Sequence, residues 1–168
     1  PVSAKAIGYR VVGLMPAFRM AGRERESRLL SIDAFIKGKE WRAAQQGVQD
    51  GQAVYGKAGF PGHDRLLVIA RGFAEQKDIE AKSALAEVEL LKAALTIEPN
   101  DPTLQAYFLK ALERRYAVLG LPEAQRTVLR GLLQSQQGPE HQDTMVKLVR
   151  LDIDAKDLSA ALHDLPAE

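Results

Sequence analysis

Residues 103–119 read TLQAYFLKALERRYAVL, and their pattern decides the fold class. Leu104, Phe108, Leu112, Tyr116 and Leu119 form one apolar stripe, with Glu113, Arg114 and Arg115 beside it. Steps of three and four residues are the period of an amphipathic helix, not the alternation of a strand. The ends agree with that reading. Pro102-Thr103 suits a helix start, where the proline's missing N–H has no intrahelical role. Gly120 follows the stripe as a helix-ending glycine does, and Pro122 opens the next helix.

The same reading extends outward in both directions. Residues 79–97 carry Leu85, Val88, Leu91, Ala94 and Leu95, and residues 141–155 carry Met145, Leu148, Val149 and Ile153. Val11-Val12 is the most strand-like pair. Its neighbours Ala4, Ile7, Leu14 and Met15 suit a helix that Pro16 bends or ends. No β run is bounded by a hairpin turn. Two sets of breakers alternate along the chain. One is rich in Pro and Gly: Gly59-Phe60-Pro61-Gly62, Pro99-Asn100-Asp101-Pro102 and Gly138-Pro139. The other holds Gly38-Lys39, Lys77-Asp78, Gly120-Leu121-Pro122 and Lys156-Asp157. The shorter turns, near 38, 77, 120 and 156, stand 39, 43 and 36 residues apart. A period of this size is the signature of stacked helix pairs, because one pair cannot bury both of its apolar faces alone.

Charge and composition narrow the function. The 23 basic and 22 acidic side chains nearly cancel. Residues 1–50 hold nine Lys/Arg against five Asp/Glu, a balance of +4. Residues 151–168 hold one against five, a balance of −4. The absence of cysteine excludes disulfides, thiolate zinc sites and a cysteine nucleophile, and is compatible with cytoplasm or periplasm. A cytoplasmic location is the expectation. No apolar run approaches the ~20 residues of a membrane span, so no membrane insertion is expected. The opening Pro1-Val2-Ser3 has no signal-peptide layout, and the chain reads as the ordered part of a longer protein.

The third pair resembles the tetratricopeptide repeat family. Leu109, Leu112 and Tyr116 take that family's apolar and aromatic positions, Gly120 its turn, and Ala124 its small residue one position early. Leu66, Ile69 and Phe73 take the same places in the second pair. That pair closes on residues 94–101 (ALTIEPND), much as such repeats end. The first pair offers Leu30, Ala34, Gly38, Trp41 and Ala43. The fourth offers Met145, Leu148 and Ala161, with Asp152 in place of the aromatic. The resemblance covers roughly residues 24–165. It departs from the family in its longer period, against the usual ~34. It also lacks the family's tight-packing glycine, where Ser31, Ala70, Glu113 and Val149 stand. What it implies is an all-α, right-handed α-solenoid of about four antiparallel helix pairs. These fall at about 24–60, 63–99, 103–138 and 141–165, within a repeat domain 24–168 preceded by an N-terminal helix and linker, 1–23.

The resemblance also implies a partner-binding face on the first helix of each pair. By position this gives Arg25, Arg28, Ile32 and Phe35, then Leu67 and Arg71, then Tyr107, Lys110 and Arg114, then Val146 and Arg150. The polar members Arg25, Arg28, Arg71, Lys110, Arg114 and Arg150 are basic, which favours another protein or an acidic peptide, since Arg pairs bidentately with carboxylates. A clamp for a chaperone C-terminus needs paired Asn, and the only one is Asn100, in a loop.

Catalytic signals are poor. His63, His141 and His163 make no zinc motif, and no phosphate-binding or nucleophile-elbow glycine pattern occurs. Asp152, Asp154 and Asp157 lack the Gly and terminal Glu of a calcium loop and read as helix-end acids. The expectation is an interaction scaffold, with no cofactor, no metal and no catalysis, and with self-association open to it. Two other readings compete. One is an output segment following a receiver domain, from the apolar helix after Pro1-Val2-Ser3. The other is nucleic-acid binding through Arg19, Arg23, Arg25, Arg28, Lys37, Lys39 and Arg42, against which the near-neutral total charge argues.

Overall fold

The computed structural model describes residues 3–16 and 23–155. Among them are eight α-helices and no strand. The expected turn at Lys156-Asp157, the second helix of the fourth pair with Ala161, and Arg19 lie outside the described residues. No helix among the described residues is long and apolar enough to cross a membrane. The chain divides into two compact units, Pro1–Phe73 and Ala74–Glu168.

The N-terminal unit holds α1 (Ala4–Gly13), α2 (Glu24–Lys37), α3 (Trp41–Tyr55) and most of α4 (His63–Glu75). Ser3 caps α1, its Oγ accepting from the Ala6 N–H at 3.2 Å. Helix α1 runs antiparallel to α2. Lys5 Nζ lies 2.8 Å from Glu40 Oε1 at one end, and further along the Tyr9 ring meets Phe35 edge-on at 5.0 Å. Its pairing with Glu40 holds the Lys5 ammonium above the ordinary lysine range. Arg65 on α4 makes a two-pronged bond to Asp33 on α2, Nε to Oδ1 at 2.8 Å and Nη2 to Oδ2 at 2.7 Å. Ile32, Phe35, Val48, Phe60, Ile69 and Phe73 form the core of this unit. Trp41 lies flat over Gly72. A Cβ there would stand 2.4 Å from Trp41 Cε2, so only glycine lets α3 and α4 approach this closely.

The C-terminal unit holds α5 (Ala81–Ile97), α6 (Pro102–Leu119), α7 (Pro122–Ser135) and α8 (Pro139–Asp154). Asp101 caps α6 through Oδ1, which accepts from Leu104 N at 2.9 Å, and Pro102 follows. Gly120 ends α6 in the left-handed region at φ 65°. There Leu121 N donates to Tyr116 O at 3.0 Å and Gly120 N to Ala117 O at 3.2 Å, the two bonds of a Schellman ending. Neighbouring helices alternate in direction. Gln105 Nε2 reaches Leu95 O and Glu98 O at one end of the α5–α6 pair, while Arg115 meets Glu87 further along. Val88, Leu91, Phe108, Leu112, Leu129, Leu132 and Leu148 fill the core.

Two buried ion pairs join these helices. Arg115 on α6 and Glu87 on α5 are almost wholly removed from solvent, with Nε 2.9 Å from Oε2. Arg115 Nη1 also donates to Ala111 O at 3.1 Å, and Ser83 Oγ donates to Glu87 Oε1 at 2.9 Å. Burial pulls the Arg115 guanidinium below the ordinary arginine range, and the Glu87 carboxylate opposes that shift. Arg126 on α7 meets Asp152 on α8, with Nε 2.8 Å from Oδ1, a close ionic contact more than an aligned hydrogen bond. Arg126 Nη2 also donates to Leu151 O at 3.1 Å, and its Nη1 pairs with Glu123.

Several expectations are corrected. Arg115 does not flank the stripe; it is fully buried, because Glu87 awaits it across the interface. Asp152 stands in the last turn of α8, as a helix-end acid should, but it is fully buried and partnered by Arg126. Leu85, 62% exposed, and Ile153, 52% exposed, lie outside the core although periodicity places them in apolar stretches, and Leu30, which the family resemblance puts at an apolar position, is 62% exposed. Ile32 and Phe35 are buried core residues, not members of an exposed face.

Replacing Arg115 with Met strands the Glu87 charge and should cost about 3–5 kcal/mol, whereas Glu87→Leu with Arg115→Met should restore most of it. Urea denaturation of both variants tests this; equal losses in the two would refute it. Gly72→Ala should cost about 1–3 kcal/mol by overpacking against Trp41, and Trp41→Leu in the same chain should relieve that loss.

Candidate binding groove

Tyr107, Lys110 and Arg114 follow one another at helical steps of three and four along one side of α6. Glu140, Asp143 and Lys147 do the same along α8, with Thr144 next to Asp143 on that side. Between the two rows lies a cavity of about 430 Å³. Leu129 and Leu132 of α7, with Gln136 just beyond it, form its floor. Gln136 Oε1 accepts from Thr144 Oγ1 at 2.6 Å, and Thr144 is in turn held near Glu140 O at 2.9 Å. A second cavity of about 630 Å³ shares Glu113, Arg114 and Lys147 with the first and continues to Ile79, Ala117 and Val118. Together they make a groove beside α6, apolar on its floor and charged on its rim.

Two ion pairs span α6 and α8 across this groove. Lys110 Nζ lies 2.8 Å from Glu140 Oε2, and Lys147 Nζ 3.6 Å from Glu113 Oε2. Gln125 Nε2 of α7 donates to the other oxygen of Glu113 at 2.8 Å. Lys110, Glu140 and Lys147 are largely in solvent, so these bridges hold the rim only loosely. Arg114 is held more firmly. Its Nη2 donates to Ala74 O, in the last turn of α4, at 2.7 Å. A cation on the terminal carbonyls of a helix is favourably placed.

Of the residues expected to bind, the structure brings Tyr107, Lys110 and Arg114 together in this groove. Arg150 is exposed on α8 and is not among the groove's lining residues. Arg25 and Arg71 are exposed in the N-terminal unit. Arg28 turns back on its own helix, with Nη2 2.7 Å and Nε 3.1 Å from Glu24 Oε1. It lines a separate cavity of about 210 Å³ with Tyr9, Val12 and Phe35.

The expected basic wall is not what lines the 430 Å³ cavity. Lys110, Arg114 and Lys147 face Glu113, Glu140 and Asp143, three charges of each sign. The acids of α8 escape a sequence reading because position along one helix does not reveal which side chains another helix sets at the same height. The helical spacing of Glu140, Asp143 and Lys147 was the signal that could have found them. Among the described residues no group of three His, Asp or Glu side chains could hold a metal ion. Comparison with protein-family models, with curated proteins and with solved structures finds no match.

Removing Lys110 or Lys147 as alanine should change stability by less than about 1 kcal/mol, as exposed ion pairs do. Arg114→Ala should cost about 1.5–3 kcal/mol, because it leaves Ala74 O without its charged donor. Chemical denaturation of the three variants ranks them, and a Lys110 loss as large as that of Arg114 would contradict the assignment.

Proposed function

We propose that this chain is a non-catalytic interaction module, a right-handed stack of helix pairs of tetratricopeptide type. It holds a peptide or helix of a partner protein along the α6–α8 groove. The observation that carries this reading is the convergence of Tyr107, Lys110 and Arg114 on one groove with a Leu129–Leu132 floor. An aromatic wall, an apolar floor and a polar rim are the usual ingredients of a peptide site. Recurring contacts between the first helices of successive pairs support the repeat reading. Asp33–Arg65 links α2 to α4, and Lys110–Glu140 links α6 to α8. The mixed rim favours a partner segment that carries both signs of charge around an apolar residue, more than a purely acidic one. Its acid would replace Glu140 on Lys110, and its base would meet Glu140 or Asp143.

Tyr107→Ala with Lys110→Glu removes the aromatic wall and reverses one rim charge while leaving Arg114 in place. Partners captured by the unsubstituted chain and by this variant should differ by at least about tenfold in recovery, the effect of roughly 1.4 kcal/mol. Thermal melting confirms that the variant is folded. Equal recovery by a folded variant would remove the groove from the account.

A further inference from the structure

The two buried ion pairs of the C-terminal unit run in opposite directions along the chain. At the α5–α6 junction the earlier helix supplies the acid, Glu87, and the later helix the base, Arg115. At the α7–α8 junction the earlier helix supplies the base, Arg126, and the later helix the acid, Asp152. All four side chains are at least nine-tenths buried.

The apolar residues around these pairs carry little information about order. The buried face of α5 presents Val88 and Leu91, and that of α7 presents Val128, Leu129 and Leu132. Apolar faces of similar composition accept one another with little discrimination. In a stack of helix pairs this is a hazard, because a face left open in one molecule can dock on the wrong face of another. Buried charges discriminate strongly. Placing α5 of one copy on α8 of another would set Glu87 against Asp152. Placing α7 on the α6 face that receives α5 would set Arg126 against Arg115. Each mismatch sets two like charges together in the interior with no acid–base partner across the junction (Arg126 keeping only its own helix's exposed Glu123), a larger penalty than the small net gain of the correct pair.

We propose that the alternating polarity of Glu87–Arg115 and Arg126–Asp152 fixes which helix docks on which, and so bars wrong docking between copies of this chain during folding. The pairs act on order of assembly more than on stability. The two pairs keep this polarity whatever the α6–α8 groove binds.

Reversing one pair tests it on the full chain. Glu87→Arg with Arg115→Glu keeps a matched pair but gives both junctions the same polarity, so α5 of one copy now matches α8 of another. After refolding from denaturant at rising chain concentration, this variant should lose monomer to oligomer at least several-fold more than the unsubstituted chain. Adding Arg126→Glu and Asp152→Arg, with Glu123→Lys to keep the intrahelical partner, restores the alternation. Monomer recovery should then return to that of the unsubstituted chain. Light scattering on the refolded samples reads both outcomes, and thermal melting compares each reversed pair with its single reversals.

Equal monomer recovery for the unsubstituted, singly reversed-pair and doubly reversed-pair chains would overturn the proposal. So would a reversed pair no more stable than its single reversals at both junctions, since the charges would then not be read as pairs. If the first reversed pair fails to fold, Arg126→Glu with Asp152→Arg and Glu123→Lys gives the equivalent test from the other junction, and must show the same concentration-dependent loss.

Discussion

The buried contact between Glu87 and Arg115 is the constraint on which the C-terminal unit depends. An arginine with no exposed surface is tolerated only where its charge and its N–H groups are answered. Here Glu87 answers the charge and Ala111 O takes a further N–H, while Ser83 completes the carboxylate. Helices α5 and α6 therefore cannot slide or rotate against one another without stranding a charge. The α7–α8 junction repeats the arrangement with Arg126 and Asp152. In the N-terminal unit the junction between α3 and α4 is apolar, Trp41 lying on Gly72. The three junctions are thus filled by two chemistries, a buried Arg–carboxylate pair at α5–α6 and α7–α8 and a ring packed on glycine at α3–α4.

The other side of α6 faces the groove. Arg115 and Tyr116 face inward, while Tyr107, Lys110 and Arg114 line the groove. Tightly held charges fix the helices, and loosely held ones at Lys110–Glu140 and Lys147–Glu113 decorate the rim. Exposed pairs exchange partners at small cost, whereas the buried ones do not.

Much of the architecture was legible from the residues. The stripe from Leu104 to Tyr116, with Pro102, Gly120 and Pro122, marked α6 and its ends almost to the residue. The turns near 38, 77 and 120 fell between helices, where the breakers placed them. What remained hidden was depth. A stripe shows which residues share a helix face but not how much of that face a neighbour covers, so Leu85 and Ile153 belong to periodic stretches and yet are exposed. The burial of Arg115 and Asp152 is not legible locally because their partners lie 28 and 26 residues away, on other helices. The groove was half visible: α6 supplied Tyr107, Lys110 and Arg114 in the expected order, but the acids facing them belong to α8. Their height relative to α6 is set by how the two helices pack through α7, which no local pattern encodes.

The most direct test of the account is the exchange rate of arginine Nε–H protons with water, read by nuclear magnetic resonance on the full chain. Arg115 should show a persistent Nε–H signal that exchanges orders of magnitude more slowly than that of exposed Arg150, and it should sharpen no further with added salt. An Arg115 Nε–H that exchanges as fast as Arg150 would mean that the side chain reaches solvent and that Glu87 does not hold it. The ordered junction between α5 and α6 would then have to be abandoned.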